Sequence, residues 1–313
     1  MTIHNLRVNF QRTPLALEDA APVFSWELQA ERTGTAQAAY QLQVLQGGTP
    51  VWDSGRVDSD ETLHIPYAGQ PLQPHTVYTW QVTAWDNHGD SAVASSYWRT
   101  GYLGTPWTAP FASPDMSEES FTAPRMRRRF TLEEKPVAAY ACVYAPCWFQ
   151  LRVNGDTPDD RQLTPAAAPD EQPIYETYDL TDRLQVGDNV IGIWMGDGYD
   201  KGFVRFGWRY TGPKRAVVEL RLTYANGTTQ VITTDERWRG NAGSALVENS
   251  VYHGETYDAR LADAWDAVDY DDSDWEPVTV LTAPDREMRS RDIPPLRVTE
   301  QKEPVNWWRT KEG

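Results

Sequence analysis

The sequence predicts an all-β protein made of two consecutive sandwiches. Short runs of alternating apolar and polar residues recur along the chain, and glycine, proline, asparagine and aspartate separate them at the spacing typical of β-sandwiches. No part of the chain has the pattern of a helical barrel. Because 313 residues exceed the roughly 250 to 300 at which one hydrophobic core stops growing, more than one domain is expected.

Composition and charge narrow the functional class. Hydrophobic residues make up 40% of the chain and tryptophan occurs 14 times, which indicates a folded protein. The net charge of −16 disfavours nucleic-acid and anionic-membrane partners. The first residues lack the apolar core of a signal peptide and no run of about 18 apolar residues occurs, so a cytoplasmic location is expected.

Residues 1–101 form the predicted first domain. In the run Val77–Trp85, every second residue from Tyr78 to Ala84 is apolar, so these side chains share one face of a strand. Just upstream, Leu72 and Pro74 precede Tyr78 at the spacing of the tyrosine corner, in which the Tyr hydroxyl bonds to upstream backbone. This region therefore resembles a fibronectin type III or immunoglobulin-like sandwich.

Residues 102–124 are rich in glycine, proline, serine and threonine, and this composition predicts a linker. Trp107 and Phe111 lie within it. Large aromatic side chains are uncommon in exposed linkers, so we expect both to wedge into the interface between the two domains.

Residues 125–290 form the predicted second domain. Alternation in Phe149–Val153 is followed by the turn signal Asn154-Gly155, and alternation in Val218–Tyr224 is followed by Asn226-Gly227. Two alternating runs around such a turn predict hairpins. The domain is expected to be an antiparallel sandwich of the jelly-roll type.

Two local features of the second domain permit alternative interpretations. The basic run Arg125–Arg129 could form a phosphate patch, but it leads directly into a strand-like segment, which favours a solvated strand edge. Cys142 and Cys147 provide neither a disulfide framework nor a metal set, so two free, buried thiols are expected.

Residues 291–313 are predicted to be an extended connector that leads toward a catalytic domain absent from this sequence. The adjacent Trp307 and Trp308 stand on a short polar tail, where the rest of the chain offers little to cover them.

Several motifs, found in order along the chain, carry a family resemblance. The most specific is Tyr175–Tyr199, with its strand, turn, strand and glycine-loop pattern. Six others accompany it: Pro22–Trp26, Gln37–Val44, Val51–Val57, Val153–Gly155, His253–Arg260 and Asp272–Trp275. Together they resemble the N-terminal, non-catalytic region of bacterial α-L-rhamnosidases of glycoside hydrolase family 78.

The resemblance implies a function that this chain supports without performing. Family members cleave terminal α-L-rhamnosides with inversion, using two carboxyl groups held in an (α/α)6 barrel. The implied partners are therefore a rhamnose-containing glycoside and a downstream catalytic barrel, and no catalytic residue is expected here. Glu255 and Asp258 are instead interpreted as part of a polar turn whose carboxylates cap backbone or pair with Arg260.

Two other functions remain open at this stage: a free-standing carbohydrate-binding module for L-rhamnose, and a structural interaction module without a ligand. A sugar site would use ring faces that stack on a pyranose and cations that bond its hydroxyls. The candidate residues are Trp148, Asp160, Tyr199, Arg205 and Trp208. Related rhamnose-binding modules use calcium, and the resemblance implies Asp160 as a possible ligand of that ion; otherwise no cofactor is expected.

Overall fold

The computed structural model describes residues 1–117, 120–165, 172–197, 213–250, 254–309 and 311. Within these ranges the fold is built from β-strands, and the only helix is a 3₁₀ turn at Ala259–Leu261. The described ranges contain no helix long and apolar enough to cross a membrane. The strands are β1 (Thr2–Val8), β2 (Val23–Gln29), β3 (Gln37–Gln46), β4 (Thr49–Asp53), β5 (Ile65–Pro66), β6 (Val77–Asp86), β7 (Ser91–Arg99), β8 (Ala112–Ser113), β9 (Arg125–Leu132), β10 (Ala138–Tyr144), β11 (Trp148–Val153), β12 (Arg161–Gln162), β13 (Ile174–Asp179), β14 (Gly187–Gly196), β15 (Val217–Thr223), β16 (Thr229–Thr233), β17 (Arg239–Asn241), β18 (Leu246–Ser250), β19 (Gly254–Tyr257), β20 (Glu276–Pro277), β21 (Thr279–Val280), β22 (Arg289–Ser290) and β23 (Leu296–Arg297).

The first sandwich packs a three-stranded sheet, ordered β1-β2-β5, near a four-stranded sheet, ordered β4-β3-β6-β7. Both sheets contribute to one apolar cluster that includes Phe24, Trp26 and Trp80. The alternating residues of β6 from Tyr78 to Ala84 are all buried, as predicted. The predicted sandwich fold of the first domain is confirmed.

The tyrosine corner is present. The backbone N–H of Gln73 donates to the hydroxyl oxygen of Tyr78 at 2.8 Å, and the Tyr78 ring stacks on Trp98 with centroids 5.2 Å apart. The hydroxyl thus fixes the loop before β6 to the core.

Replacing Tyr78 by phenylalanine keeps the stacked ring but removes this hydrogen bond. We expect the free energy of unfolding to fall by about 1 kcal/mol, the usual net value of one such bond. Urea denaturation of the wild type and Tyr78→Phe measures the difference. An unchanged midpoint would mean that the hydroxyl contributes no stability to this loop.

The second sandwich packs two five-stranded sheets, ordered β16-β15-β10-β13-β22 and β11-β14-β9-β17-β20. Their facing sides form a single apolar cluster to which Phe149, Leu151, Leu220 and Leu222 contribute. The predicted hairpin of β15 and β16 is confirmed, because the two strands pair antiparallel.

The predicted turn at Asn154-Gly155 is also confirmed. Both residues have positive φ, 51° and 88°, and the backbone groups of Val153 and Asp156 bond to each other on either side. This is the two-residue hairpin loop for which Asn-Gly is favoured, because asparagine and glycine tolerate that conformation.

The segment from Tyr175 onward consists of strand, turn and strand, as predicted, but its two strands belong to different sheets. β13 lies in one five-stranded sheet and β14 in the other, so the turn between them crosses the sandwich. Buried Asn189 holds this turn: its Nδ2 donates to the carbonyl of Gln185 at 2.8 Å, and its Oδ1 accepts from the Gln185 N–H at 3.0 Å. The motif therefore closes the two sheets around one core.

The prediction for Arg125–Arg129 is wrong. β9 is the central strand of its sheet, between β14 and β17, and Arg125, Arg127 and Arg128 are buried. Acidic partners elsewhere in the sequence compensate these charges: Arg128 Nη1, for example, lies 3.0 Å from Asp235. The local sequence contains the arginines but not the aspartates that pair with them, because these lie far away in the chain. The run therefore looked like a solvent-exposed edge strand.

The outward-facing arginines of β9 fix the segment 262–275 across the sheet. Arg125 pairs with Asp263, and Arg127 pairs with Asp272 and donates to the carbonyl of Ala267 at 2.9 Å. A desolvated guanidinium needs such partners, since an unpaired buried charge is strongly destabilising. The arginines act as connectors between the sheet and its covering segment.

An aromatic cluster joins the two sandwiches. Tyr102 stacks on Trp107 with centroids 4.5 Å apart, Trp107 lies edge-on to Tyr175 at 5.3 Å, and Phe111 belongs to the same buried group. The prediction that Trp107 and Phe111 enter the domain interface is confirmed.

Glu18 links the first domain to the second within this interface. Its carboxylate accepts the backbone N–H groups of Tyr102 at 3.1 Å and Leu103 at 2.6 Å, and it also accepts the hydroxyl of Tyr175. A Cβ atom on Gly101 would lie 2.3 Å from a Glu18 oxygen. A side chain at position 101 would therefore displace the carboxylate of Glu18 or the hydroxyl of Tyr175.

His75 at the same interface makes stability depend on pH. Burial, and then the charges of Arg221 and Arg99, lower the pKa of His75 from 6.5 to about 3. The unfolded chain takes up a proton as the pH falls through 6.5 while the folded protein does not, so the free energy of unfolding decreases below pH 6.5.

We expect His75 to account for a loss of about 1 kcal/mol between pH 6.5 and 5. One proton contributes at most about 1.4 kcal/mol per pH unit, and partial exposure reduces this amount. The variant His75→Asn should show less of this loss, since asparagine has no titrating group and tolerates the φ of 53° found here. Urea denaturation at the two pH values tests this expectation, and equal losses in both proteins would contradict it.

The two cysteines are free and buried, as predicted. Cys142 lies in the interface cluster and Cys147 in the core of the second sandwich.

Candidate functional site

Trp148 stands at the start of β11, opposite Gly196 at the end of β14. Its side chain is half-buried. The next part of the predicted sugar site, with Tyr199, Arg205 and Trp208, lies outside the described residues. Binding of a sugar by these four residues therefore stays a prediction.

Asp197, directly before segment 198–212, and Lys214, the second residue after it, form a fully buried ion pair. Lys214 Nζ also donates to the carbonyl of Thr122 at 2.8 Å, and the Asp197 N–H donates to Asn249 Oδ1 at 3.0 Å. A Cβ on Gly196 would lie 2.5 Å from that same oxygen. The described residues on either side of the segment thus meet at one buried junction.

Asp160 has different surroundings from Trp148. Its carboxylate pairs with Arg297 of β23, and both side chains are partly exposed. No group of three or more His, Cys, Asp or Glu residues that could hold a metal ion occurs within the described ranges. The hypothesis of a calcium site therefore keeps Asp160 as its only named ligand.

Sequence reasoning missed a buried carboxylate next to this position. Glu176 is fully buried and is bound by two arginines, Arg161 at 3.0 Å and Arg291. Arg161 also donates to the carbonyl of Thr177 at 2.7 Å and covers the ring of Tyr178 at 4.2 Å. The alternation of β13 indicated a strand, but nothing local showed that distant arginines would neutralise Glu176.

Glu176 lies at the wall of a cleft between the domains, with a volume of about 1770 Å³. The first domain contributes the turn at Phe10 and, from β7, Tyr97, while the second domain contributes β13 and segment 284–297. Sequence reasoning missed this cleft as well, because it arises only when the two domains dock.

The polar turn near Asp258 is confirmed. Asp258 Oδ1 accepts the Arg260 backbone N–H at 3.0 Å, and both of its oxygens bond to the Arg260 guanidinium, at 2.8 and 2.6 Å. The hydrogen bonds from the Arg260 side chain, and to a smaller extent the one from its backbone N–H, lower the pKa of Asp258. A general acid would have its pKa raised by burial, whereas the pKa of Asp258 is lowered.

Two family profiles match the chain. One is described as the alpha-L-rhamnosidase N-terminal domain and covers residues 134–300, more than half of the sequence. The other is described as the Rha78A-like N-terminal immunoglobulin domain and covers residues 3–104.

Similar proteins agree with these matches. An alpha-L-rhamnosidase of Formosa agariphila is 28% identical over 98% of this chain but only 36% of its own length. The structure of an alpha-L-rhamnosidase from Dictyoglumus thermophilum superposes with a TM-score of 0.85 at 27% identity, over 98% of this chain and 37% of that one. A structure from Aspergillus terreus, named native alfa-L-rhamnosidase, is 23% identical and shares the fold with a TM-score of 0.89. The superposition covers 100% of this chain and 38% of that one.

The chain thus spans about a third of the length of the relatives it matches, and the match covers both sandwiches. The resemblance derived from the sequence is confirmed. This chain belongs to the α-L-rhamnosidase N-terminal domain family.

Proposed function

We propose that this chain is the accessory N-terminal part of an α-L-rhamnosidase. In this proposal a separate (α/α)6 barrel inverts and cleaves terminal α-L-rhamnosides, and the two sandwiches support or shape its sugar site. The observation that carries the proposal is the match of nearly the whole chain to one third of proteins named alpha-L-rhamnosidase. The described residues also contain no α-helix from which such a barrel could be built.

The structure suggests how support would be given. Glu18, the stacked aromatics of the linker and Tyr175 fasten the first sandwich to the second, so the pair would meet a third domain as one body. Beyond β23 the tail leaves Trp307 and Trp308 82% and 77% exposed. Exposed apolar groups of this size mark interaction surfaces, and the proposed barrel is the partner to which we assign them.

This role is testable in a rhamnosidase polypeptide that carries the region. Removing residues 1–313 should lower the melting temperature of the remaining barrel and reduce kcat/KM for an aryl α-L-rhamnoside. A substitution at the surface assigned to the barrel, Trp307→Ser with Trp308→Ser, should reproduce part of the loss. A barrel with unchanged stability and kcat/KM after the deletion would refute the accessory role.

We further propose a bacterial, cytoplasmic protein whose glycoside partner contains rhamnose. Relatives from Formosa, Alteromonas and Streptomyces support the bacterial source. Free thiols are typical of proteins in a reducing compartment, so Cys142 and Cys147 support a cytoplasmic location.

A further inference from the structure

We propose that the cleft between the two sandwiches is a binding site for a neutral oligosaccharide, with Phe10 and Tyr97 as its stacking surfaces. The choice of a rhamnose-containing ligand rests on the proposed function, whereas the site itself follows from the shape, exposed rings and charge of the cleft.

The first observation is the position of the cleft. Ligand sites occur preferentially at domain interfaces and usually have volumes of about 300 to 1,000 Å³. At about 1770 Å³ this cleft is larger. It therefore suits a chain of several sugar units better than a single monosaccharide.

The second observation is an exposed aromatic residue in an unfavourable backbone conformation. Asn9 and Phe10 form the two-residue loop of a hairpin closed by Val8 and Gln11, and their φ angles are 45° and 66°. Positive φ is a rare conformation for a bulky residue and costs free energy, and such residues cluster at functional sites. Phe10 nevertheless leaves 58% of its surface exposed.

Specific contacts hold Phe10 in this position. Arg7 Nη1 donates to its carbonyl at 2.7 Å, and its ring meets the ring of His64 edge-on, with centroids 5.1 Å apart. A loop that served only as a turn would prefer asparagine or glycine at this position. Phenylalanine adds an apolar ring face, which is what a pyranose needs for stacking.

The third observation is the remaining lining of the cleft. Tyr97, on the outer face of β7, is 40% exposed and offers a second ring. The exposed guanidinium groups of Arg12 and Arg289 also line the cleft, and neither has an acceptor among the described residues. They can therefore donate to sugar hydroxyls.

Charge determines which class of saccharide fits. Arginines and carboxylates line the cleft in equal number, seven of each, so its lining is close to neutral. The chain as a whole carries −16. An anionic saccharide would be repelled by the protein without a compensating basic cleft, whereas a neutral one would not.

Calorimetry on the 313-residue chain tests the site with three probes: a linear tetrasaccharide of α-L-rhamnose, methyl α-L-rhamnoside and a tetramer of galacturonic acid. We expect the neutral tetrasaccharide to bind and the other two to bind at least about tenfold more weakly. The variants Phe10→Asn and Tyr97→Thr should each weaken tetrasaccharide binding about tenfold, the effect of losing one aromatic contact.

The substitution of Phe10 includes its own control for folding. Asparagine favours positive φ, so Phe10→Asn should melt at the same temperature as the wild type or higher while losing affinity. Phe121→Ser removes an exposed ring outside the cleft and should leave the affinity within twofold.

A flat titration with the tetrasaccharide at millimolar concentration would overturn the proposal, as would equal affinities for wild type and Phe10→Asn. Preferential binding of the galacturonic acid tetramer would also refute it. These outcomes are independent of the deletion experiment on the barrel, because the calorimetry uses this chain alone.

Discussion

Replacing Lys214 by methionine is expected to lower the free energy of unfolding by about 3 to 5 kcal/mol, the usual cost of removing one partner from a buried ion pair. Both Lys214 and Asp197 are fully buried, so neither charge can turn to water. Without the ammonium group, the carboxylate of Asp197 would remain buried without its charge partner. Urea denaturation monitored by tryptophan fluorescence measures the change.

Two further variants distinguish charge from packing at this junction. Lys302→Met removes a cation from an exposed pair with Glu300 and should change stability by less than about 1 kcal/mol. The double variant Asp197→Leu with Lys214→Met should recover most of the loss, since a buried pair can often be replaced by apolar residues. A double variant as unstable as Lys214→Met alone would contradict the electrostatic explanation.

Replacing Arg127 by alanine is the other substitution expected to be severe, with a loss of about 3 to 5 kcal/mol. Its guanidinium is fully buried under segment 262–275, where it pairs with Asp272 and bonds to the carbonyl of Ala267. The variant would remove both of these bonds and also the packing of the side chain against Tyr270. The covering segment should then loosen before the sheet unfolds.

Arg129 provides a matched control, because it stands two residues further along the same strand and bonds to the carbonyl of Val268 while remaining exposed. Arg129→Ala should cost less than about 1 kcal/mol. Hydrogen exchange should locate the effect of Arg127→Ala in residues 262–275. Equal losses of unfolding free energy in Arg127→Ala and Arg129→Ala would show that burial does not determine the contribution of these arginines to stability.

Local pattern was enough to predict the fold class. Alternation in β6 and β11 identified strands, Asn-Gly pairs identified hairpins, and the spacing from Leu72 to Tyr78 identified the tyrosine corner, because each is a short-range consequence of side-chain chemistry. The aromatic linker residue Trp107 was placed correctly for a related reason: an apolar group in a polar stretch needs cover.

Long-range pairing was not predictable in the same way. Arg127 lies 145 residues from the aspartate that neutralises it, so the basic run looked like a solvated edge. Glu176 likewise depends on Arg161 and on Arg291, which is 115 residues away. Of the candidate sugar residues, Trp148 pairs with Gly196, next to the buried pair of Asp197 and Lys214. Asp160 forms a partly exposed ion pair with Arg297. Neither contact could be predicted from the neighbouring residues in the sequence.

We propose that this chain supports glycoside hydrolysis without performing it. The most direct test is to incubate the purified 313-residue protein with 4-nitrophenyl α-L-rhamnopyranoside and to follow release of nitrophenolate. We expect a rate equal to that of the substrate without protein, unaffected by Glu255→Gln or Asp258→Asn. Release that is proportional to protein concentration and is lost in a carboxylate variant would show that the chain contains its own catalytic apparatus and would refute the accessory role.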